Sequence, residues 1–269
     1  MSVIYEPSGK AREYAPLACN IYNGCNHGCL YCYAPAIKRM RREDYHDVGL
    51  RRNILSDFSK DCKKHYGTSK NMLFCFMTDP YNALEKELRI TREFLKIALK
   101  HKIPVSILTK SKEVLNDIDV IKKFGPHIKI GMTLTFDNEK DSKQWEPEAS
   151  LPNERIETLR SLKEKNITTW ASFEPVIDPK QSISMIKKSL QFVDMYKVGK
   201  LNNYKGIDKS IDWADFLHQS IDILRNEGKQ FYIKKDLRVS APSVRLYGNE
   251  VTHDDLSVPS FVEISEVSE

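Results

Sequence analysis

The stretch Cys-Asn-His-Gly-Cys-Leu-Tyr-Cys, residues 25–32, places three thiols on one short segment, spaced four and then three positions apart. Three thiolates on one loop can bind three irons of a four-iron cluster, which leaves the fourth iron open to another ligand. Gly24 and Gly28 lie before and within the run, and glycine allows a loop to wrap closely around a bound group. The spacing therefore predicts an iron–sulfur site with an open coordination position.

A structural zinc site is the alternative for clustered thiols. Such a site takes a fourth Cys or His at paired spacing, but Cys19, Cys62 and Cys75 form no second pair. His27 lies between two of the proposed ligands, where it can hardly reach the same ion. Disulfides are not expected, because the cysteines are unpaired and no apolar export segment follows Met1. The pattern favours iron–sulfur chemistry in a reduced, cytoplasmic protein.

The composition sets outer limits on the fold. A chain of 269 residues is long enough for one large α/β domain with a substantial core. The net charge of +5 is uneven, because Lys and Arg crowd residues 38–70 whereas residues 240–269 are acidic. This asymmetry is compatible with a polyanionic partner such as nucleic acid, although a solvated helix face would also explain it. No run of about 20 apolar residues occurs, so we expect no membrane span.

Short apolar segments alternate with amphipathic ones through most of the chain. Strand followed by helix, repeated six times, requires parallel strands with right-handed crossovers. We therefore predict an α/β fold, a partial (β/α)6 barrel of the TIM type, within residues 1–240, followed by an extended or partly disordered acidic tail at 241–269. A final helix at 212–226 is expected to begin after Asp212 and to stop at Gly228, before one more short strand at 231–233. The six predicted strands are 17–22, 72–77, 105–109, 128–135, 167–173 and 195–198, and the main predicted helices are 35–42, 50–66, 90–99, 113–124, 153–165 and 182–192.

Polar residues follow several of these strands, and in β/α barrels the loops after the strands converge on one face. Pro175 ends one strand just after Glu174, which places this carboxylate at the barrel mouth. Lys197 lies on an otherwise apolar strand and could pair with Glu174. The candidate pocket residues are Thr78, Asp79, Lys110, Ser172, Glu174 and Lys197, with Thr109, Ser111, Thr133, Thr135, Lys200 and Asn202 nearby.

Cys25, Cys29, Tyr31 and Cys32 match the signature C-x3-C-x-aromatic-C of the radical S-adenosylmethionine (radical SAM) superfamily, which this chain resembles. Within it, the chain is similar to the spore photoproduct lyase group and to relatives loosely called DNA repair photolyases. The stretches that carry this likeness are residues 23–35, 78–88 and 105–111, and it extends from about residue 14 to residue 203.

The resemblance implies an enzyme with a [4Fe–4S] cluster on Cys25, Cys29 and Cys32. In the superfamily, the open iron chelates S-adenosylmethionine, and one electron from the reduced cluster cleaves it to methionine and a 5′-deoxyadenosyl radical that abstracts a substrate hydrogen. Tyr31 and the backbone at Tyr33 would contact the adenine. The resemblance further implies that Glu174 accepts hydrogen bonds from the ribose or amino group, that Lys197 could contact the methionine carboxylate, and that an electron donor such as flavodoxin or ferredoxin is required.

Spore photoproduct lyases carry a cysteine near the end of the second strand that returns a hydrogen atom to the product radical. Cys75 lies close to that place, although a thiol between Phe74 and Phe76 is also an ordinary core residue. Cys19, at the end of the first strand, is the second candidate for a catalytic thiol.

The likeness makes a thymine photodimer in DNA one candidate substrate, beside modified RNA, a protein or a peptide. The basic residues between 38 and 52 could contact phosphates, and Tyr45, Tyr66 or Tyr81 could stack on a flipped base. The alternative from another class is a non-catalytic iron–sulfur or zinc module that binds nucleic acid, which would not cleave S-adenosylmethionine.

Overall fold

The computed structural model of the chain describes residues 2–202, 204–252 and 258–261. Among these residues, eight strands form one sheet in the order β1-β2-β5-β6-β7-β8-β9-β10, and β3 pairs with β4 in a separate ladder. In the large sheet β1 is antiparallel to β2, and every other neighbouring pair is parallel. The strands are β1 Ile4–Tyr5, β2 Leu17–Cys19, β3 Tyr22–Asn23, β4 Gly49–Leu50, β5 Met72–Phe74, β6 Val105–Thr109, β7 Ile128–Thr133, β8 Thr168–Phe173, β9 Met195–Val198 and β10 Gln230–Ile233.

Helices connect the parallel strands. Asp212 caps the helix Trp213–Asn226 by accepting hydrogen bonds from Ala214 N and Asp215 N, and Gly228 follows this helix with φ +58°, as predicted. No helix in the described part of the chain is both long enough and apolar enough to cross a bilayer. The α-helices are α1 Ala34–Lys38, α2 Arg42–His46, α3 Ile54–Lys64, α4 Glu85–Leu88, α5 Ile90–Lys100, α6 Ile118–Ile121, α7 Glu139–Trp145, α8 Pro152–Glu164, α9 Pro179–Ser189, α10 Lys205–Ser210, α11 Trp213–Asn226, α12 Lys235–Ser240 and α13 Gly248–Val251, and 3-10 helices occupy Gly9–Glu13, Lys112–Asp117 and Lys122–His127.

The predicted α/β fold with a mostly parallel sheet is confirmed, and the six predicted strands all occur. Alternate residues of β8 and β9 face opposite sides of the sheet, as the strand period requires. Phe173 and Tyr196 belong to a hydrophobic cluster with α8, α9 and α11, whereas Trp170 and Met195 pack with Tyr232 on the other side. The second side is the inner wall of the partial barrel, and β10 adds a seventh parallel strand to it.

Several predicted boundaries were wrong, each for a local reason. The predicted strand at 17–22 divides into β2 and β3. The helix predicted at 50–66 begins only at Ile54, because Leu50 pairs with Tyr22 in the small ladder and Asn53 has φ +54°. The helix predicted at 113–124 is α6 between two 3-10 helices, the second of which contains Gly125 at φ +57° and Pro126.

The predicted division of the chain at residue 240 stays a prediction. Within the predicted tail, α13 packs on the domain, where buried Glu250 forms an ion pair with Arg225. Residues 253–257 and 262–269 of that tail lie outside the described residues.

Residues 9–14 lie between β1 and β2 at one edge of the sheet, yet they contact β10 at the other edge. The Glu13 carboxylate accepts hydrogen bonds from Tyr232 Oη at 2.6 Å and from Lys235 N at 2.9 Å. The Lys197 ammonium donates to Glu13 O at 2.6 Å and to Tyr14 O at 3.2 Å. This segment, which we call the bridging segment, therefore spans the open side of the partial barrel.

The inner wall also holds Lys129, which is 2% exposed. Its ammonium lies 5.9 Å from the centre of the Trp170 ring. Burial lowers the pKa of Lys129 to about 7, because the protein interior disfavours the charged form.

Lys129→Met is expected to reduce the pH dependence of stability. An unfolded lysine has a pKa of about 10.4, so between about pH 7 and pH 10 the unfolded chain binds a proton that the folded chain does not. The free energy of unfolding should therefore rise with pH in this window, by up to about 1.4 kcal/mol per pH unit from this one group. Urea titrations across the window measure the slope, and equal slopes in wild type and variant would contradict a neutral buried Lys129.

Candidate active site

The cysteine loop, residues 25–32, follows β3 and is closed by backbone hydrogen bonds. Cys25 N donates to Tyr45 O at 2.9 Å, and Cys32 N donates to Cys29 O at 3.1 Å. Arg42 of α2 donates to Cys29 O at 2.7 Å and to Cys32 O at 3.2 Å. The loop is thus held from the side of α2 through its backbone.

Both glycines of the loop region are needed for steric reasons. At Gly24, which has φ +80°, an added Cβ would lie 2.5 Å from Tyr45 O and 2.7 Å from Asp47 O. At Gly28, which has φ +68°, it would lie 2.9 Å from Pro147 Cγ. The backbone therefore runs closer to its neighbours than a side chain would permit.

The three thiols of the loop are the residues that could hold a metal cofactor. All three are free, with Cys29 buried and Cys25 and Cys32 half-buried. Within 2–202, 204–252 and 258–261, no group of three or more His, Cys, Asp or Glu side chains is placed to hold a metal ion. Burial raises the pKa of Cys25 and of Cys29 to about 12. Bound metal would therefore have to displace protons from these thiols.

Asp79 ties the cysteine loop to the end of β6. Its Oδ1 accepts a hydrogen bond from Thr109 Oγ1 at 2.6 Å, and its Oδ2 accepts one from Lys110 N at 2.8 Å. His27 Nδ1 lies 3.4 Å from the same Oδ2, and burial lowers the pKa of His27. Asp79 was predicted to bind a cofactor, but both of its oxygens already have protein partners.

Tyr31 is held from behind by residues that were not predicted from the sequence. Its hydroxyl donates to the Glu146 carboxylate, which also pairs with Arg155. Burial alone would raise the pKa of Glu146, but Arg155 and Lys110 outweigh it and lower that pKa. The Lys110 ammonium lies 5.7 Å from the centre of the Tyr31 ring, and although burial opposes its charge, Cys29 and Glu146 raise its pKa. Predicted Tyr31 and Lys110 thus lie together, beside Cys29.

A second polar group lies across the barrel around Glu174. Tyr14 Oη donates to Glu174 Oε2 at 2.5 Å and lies 3.5 Å from Ser172 Oγ. Lys234, and not Lys197 as considered from the sequence, forms the ion pair with Glu174. Asn202 Nδ2 donates to Glu174 Oε1 at 3.3 Å. Predicted Ser172 and Glu174 are therefore neighbours, joined by Tyr14 and Lys234.

Lys197 lies below this group on the inner wall. It is 3% exposed, and its ammonium is bonded to the bridging segment. Burial, together with the nearby Lys129 and Lys234, lowers the pKa of Lys197 well below its usual value. Its position fits a support for the bridging segment more closely than a contact with methionine.

An aromatic shelf of Tyr14, Tyr33 and Phe76 connects the two polar groups. The Tyr33 and Phe76 rings are 6.0 Å apart, and the Tyr14 and Phe76 rings are 5.7 Å apart. Tyr33 is 37% exposed, and its hydroxyl donates to Phe76 O at 3.2 Å. The shelf offers partly exposed ring faces at the barrel mouth.

Two of the three tyrosines considered for base stacking are buried, and the third lies away from the mouth. Tyr45 and Tyr81 are each 2% exposed, with hydroxyls bonded to Met77 O and to Asp117 Oδ2. Tyr66 is exposed but follows α3 and precedes β5, so it lies at the opposite end of the barrel from the mouth. The available rings are those of the aromatic shelf.

The two predicted catalytic thiols lie in the hydrophobic core. Cys19 is fully buried in the cluster that contains Phe58 and Phe74, between the sheet and the helices. Cys75 is 5% exposed, and its sulfur accepts a hydrogen bond from Ile21 N at 3.4 Å. Predicted Thr78 is buried in the loop after Cys75. Cys62 is a core thiol of α3, as predicted.

Comparison with known proteins gives both sequence and structural matches. The sequence profile of the Radical SAM superfamily matches residues 19–193. Uncharacterized protein MJ0683 of Methanocaldococcus jannaschii is 27% identical over 215 residues, which covers 77% of this chain and 79% of the relative.

Two solved structures share the fold at low sequence identity. A mutant of spore photoproduct lyase with bound S-adenosylmethionine and dinucleoside spore photoproduct has a TM-score of 0.60 at 11% identity, over 82% of this chain and 76% of that chain. Streptococcus suis SuiB bound to its precursor peptide SuiA has a TM-score of 0.60 at 15% identity, over 86% of this chain and 53% of that chain. At these identities the likeness establishes the fold alone.

Proposed function

Because the chain belongs to the radical SAM superfamily, it is a radical SAM enzyme that uses S-adenosylmethionine and an iron–sulfur cluster, and we propose that Cys25, Cys29 and Cys32 hold this cluster in the [4Fe–4S] form. With S-adenosylmethionine at its open iron, the reduced cluster would supply a 5′-deoxyadenosyl radical that removes a hydrogen atom from the substrate. The observation that carries the proposal is the set of three free thiols on one fixed loop beside the half-buried cation Lys110.

The surrounding residues complement the polar groups of S-adenosylmethionine. Lys110 provides a cation for its carboxylate, and Glu174 provides an acceptor for its ammonium or ribose hydroxyls. The Tyr31 ring, pinned through its hydroxyl, and the Tyr33 backbone provide surfaces for adenine. Asp79 and Lys197 have their polar atoms bonded to protein, so we assign them to holding the pocket in shape.

Cys75 is the better placed of the two candidate hydrogen donors. It lies directly after β5, two residues before Met77, whose carbonyl accepts a hydrogen bond from the Tyr45 hydroxyl. The Tyr45 carbonyl in turn accepts the hydrogen bond from Cys25 N, so the segment that carries Cys75 is connected to the cysteine loop. Cys19 faces the helices. A thiol can return a hydrogen atom to a carbon radical, and we propose Cys75 for this step.

We propose a damaged base in nucleic acid as the substrate. The aromatic shelf offers ring faces for a flipped base at the mouth. Exposed cations close in sequence to the cysteine loop, Lys38, Arg39 and Arg52, could contact phosphates. The structural neighbour spore photoproduct lyase holds a dinucleoside photoproduct, which supports a ligand of this chemical class.

Cys29→Ala is expected to lose bound iron and to reduce 5′-deoxyadenosine formation to background, because a cluster ligand is removed. Wild type and variant would be reconstituted anaerobically with iron and sulfide, reduced with dithionite, and assayed with S-adenosylmethionine, with and without ultraviolet-irradiated DNA. Reduced flavodoxin or ferredoxin in place of dithionite tests the proposed electron donors. Stimulation by irradiated but not by undamaged DNA is expected.

Cys62→Ala is the matched control, since it removes a buried thiol of α3 outside the loop. It should keep iron and activity. An intact, reducible cluster that neither binds nor cleaves S-adenosylmethionine would instead support the non-catalytic iron–sulfur module. Cleavage without any response to irradiated DNA would retain the radical chemistry and reject the substrate.

A further inference from the structure

The segment Trp-Glu-Pro-Glu, residues 145–148, lies directly against the cysteine loop, and we call it the clamp. Two backbone hydrogen bonds join them. Leu30 N donates to Trp145 O at 2.9 Å, and Glu148 N donates to His27 O at 3.2 Å. The loop and the clamp therefore run antiparallel to each other and are joined by backbone hydrogen bonds, although neither is a β-strand.

Side chains strengthen this pairing at its centre. Pro147 lies so close to Gly28 that a Cβ added at this glycine would come within 2.9 Å of Pro147 Cγ. The Glu146 carboxylate, which is 1% exposed, accepts the Tyr31 hydroxyl bond and a bond from Thr135 Oγ1 at 3.3 Å. Each of the four clamp residues thus contacts the loop, and all of these contacts lie between Cys25 and Cys32.

The clamp is itself anchored in the barrel. Arg155 of α8, which is 1% exposed, pairs with Glu146 and donates to Thr133 O at 2.9 Å and to Ser150 O at 2.7 Å. Its charge is therefore compensated, and each of its three nitrogens donates a hydrogen bond to protein. The rigid end of β7 is connected through Arg155 and Glu146 to Tyr31.

We infer that the clamp sets the position of the cysteine loop, with Glu146 as a positioning residue that acts through Tyr31 on the proposed cluster and S-adenosylmethionine site. The buried Glu146 carboxylate is bonded to Tyr31, which is the residue next to Cys32 in the chain. Without the negative charge of Glu146, a cluster held in the loop would accept an electron more easily. Removing the charge should therefore raise the midpoint potential of that cluster. This consequence rests on the proposed function, whereas the positioning of the loop does not.

The first test uses Tyr31→Phe, which removes one hydroxyl and keeps the ring. Native-state amide hydrogen exchange of the metal-free chain should become about 10-fold faster at Leu30 and Cys32, since one buried hydrogen bond of about 1.4 kcal/mol is lost. Tyr81→Phe is the matched control, because Tyr81 donates to Asp117, which pairs with Arg92, away from the loop. It should leave exchange in the loop unchanged.

The second test uses Glu146→Gln in the reconstituted enzyme. A higher midpoint potential, a changed electron paramagnetic resonance signal on addition of S-adenosylmethionine, and a raised KM are expected, whereas Tyr81→Phe should change none of these. Loop exchange in Tyr31→Phe equal to that in wild type would overturn the inference, whether or not the enzyme cleaves S-adenosylmethionine. Faster exchange with no cluster in any form of the protein would reject the proposed function and leave the positioning of the loop by the clamp intact.

Discussion

Arg155→Met should lower the free energy of unfolding by about 3–5 kcal/mol, because it leaves the buried Glu146 carboxylate without its counter-charge. Arg155 and Glu146 are each 1% exposed, so water cannot replace the lost partner. The Thr133 and Ser150 carbonyls lose their donor as well. Urea unfolding monitored by circular dichroism measures the change.

The double variant Arg155→Met, Glu146→Leu provides the control. Replacing both members of a buried ion pair by apolar residues of similar size is commonly neutral or stabilising, so most of the lost stability should return. The clamp would nevertheless lack its acceptor for Tyr31, and the cysteine loop should remain loosened. A single variant as stable as wild type would show that Glu146 becomes protonated at little cost or reaches solvent.

Gly24→Ala should destroy the cysteine loop, with a stability loss of about 3 kcal/mol and loss of iron after reconstitution. The new methyl group would meet Tyr45 O and Asp47 O, at 2.5 and 2.7 Å. Both are backbone atoms, so the contact cannot be relieved by rotating a side chain. The same carbonyl of Tyr45 accepts the Cys25 amide bond, so any relief displaces a proposed ligand.

Gly9→Ala separates the steric effect from the cost of the backbone angle. Gly9 has φ +57°, but an added Cβ would meet no atom within 4 Å. It should therefore lose only about 1–2 kcal/mol and keep its iron. If Gly24→Ala and Gly9→Ala bound equal amounts of iron, the close approach of the Tyr45 and Asp47 carbonyls to Gly24 would be contradicted.

The cysteine loop and the parallel sheet could be predicted because their signals are local. Spacing of Cys25, Cys29 and Cys32 is visible within one short stretch, and alternation of apolar runs identified the strands. Glu174 and Ser172 were found because a strand followed by Pro175 shows where the barrel mouth begins. These features depend on residues close in sequence.

The partners of those residues could not be predicted, because they come from distant positions in unpatterned segments. Tyr31 and Glu146 are 115 residues apart, and Tyr14 and Glu174 are 160 apart. The sequence around Glu146 has no regular spacing of apolar residues that would show which side chains point into the protein. Tyr14 precedes the first predicted strand. The exposure of the tyrosines could not be predicted for the same reason, since nothing near Tyr45 and Tyr81 in the sequence shows that they are buried whereas Tyr33 is exposed.

The bridging segment imposes an order on how the barrel is assembled during translation. Glu13 bonds to Tyr232 and to Lys235, which are 219 and 222 residues further along. The cysteine loop leaves the ribosome early, but this wall of the barrel cannot form until β10 has been synthesised. Contacts of such long sequence separation also form late in folding. The nascent chain consequently exposes its cysteine loop before this wall of the barrel has closed.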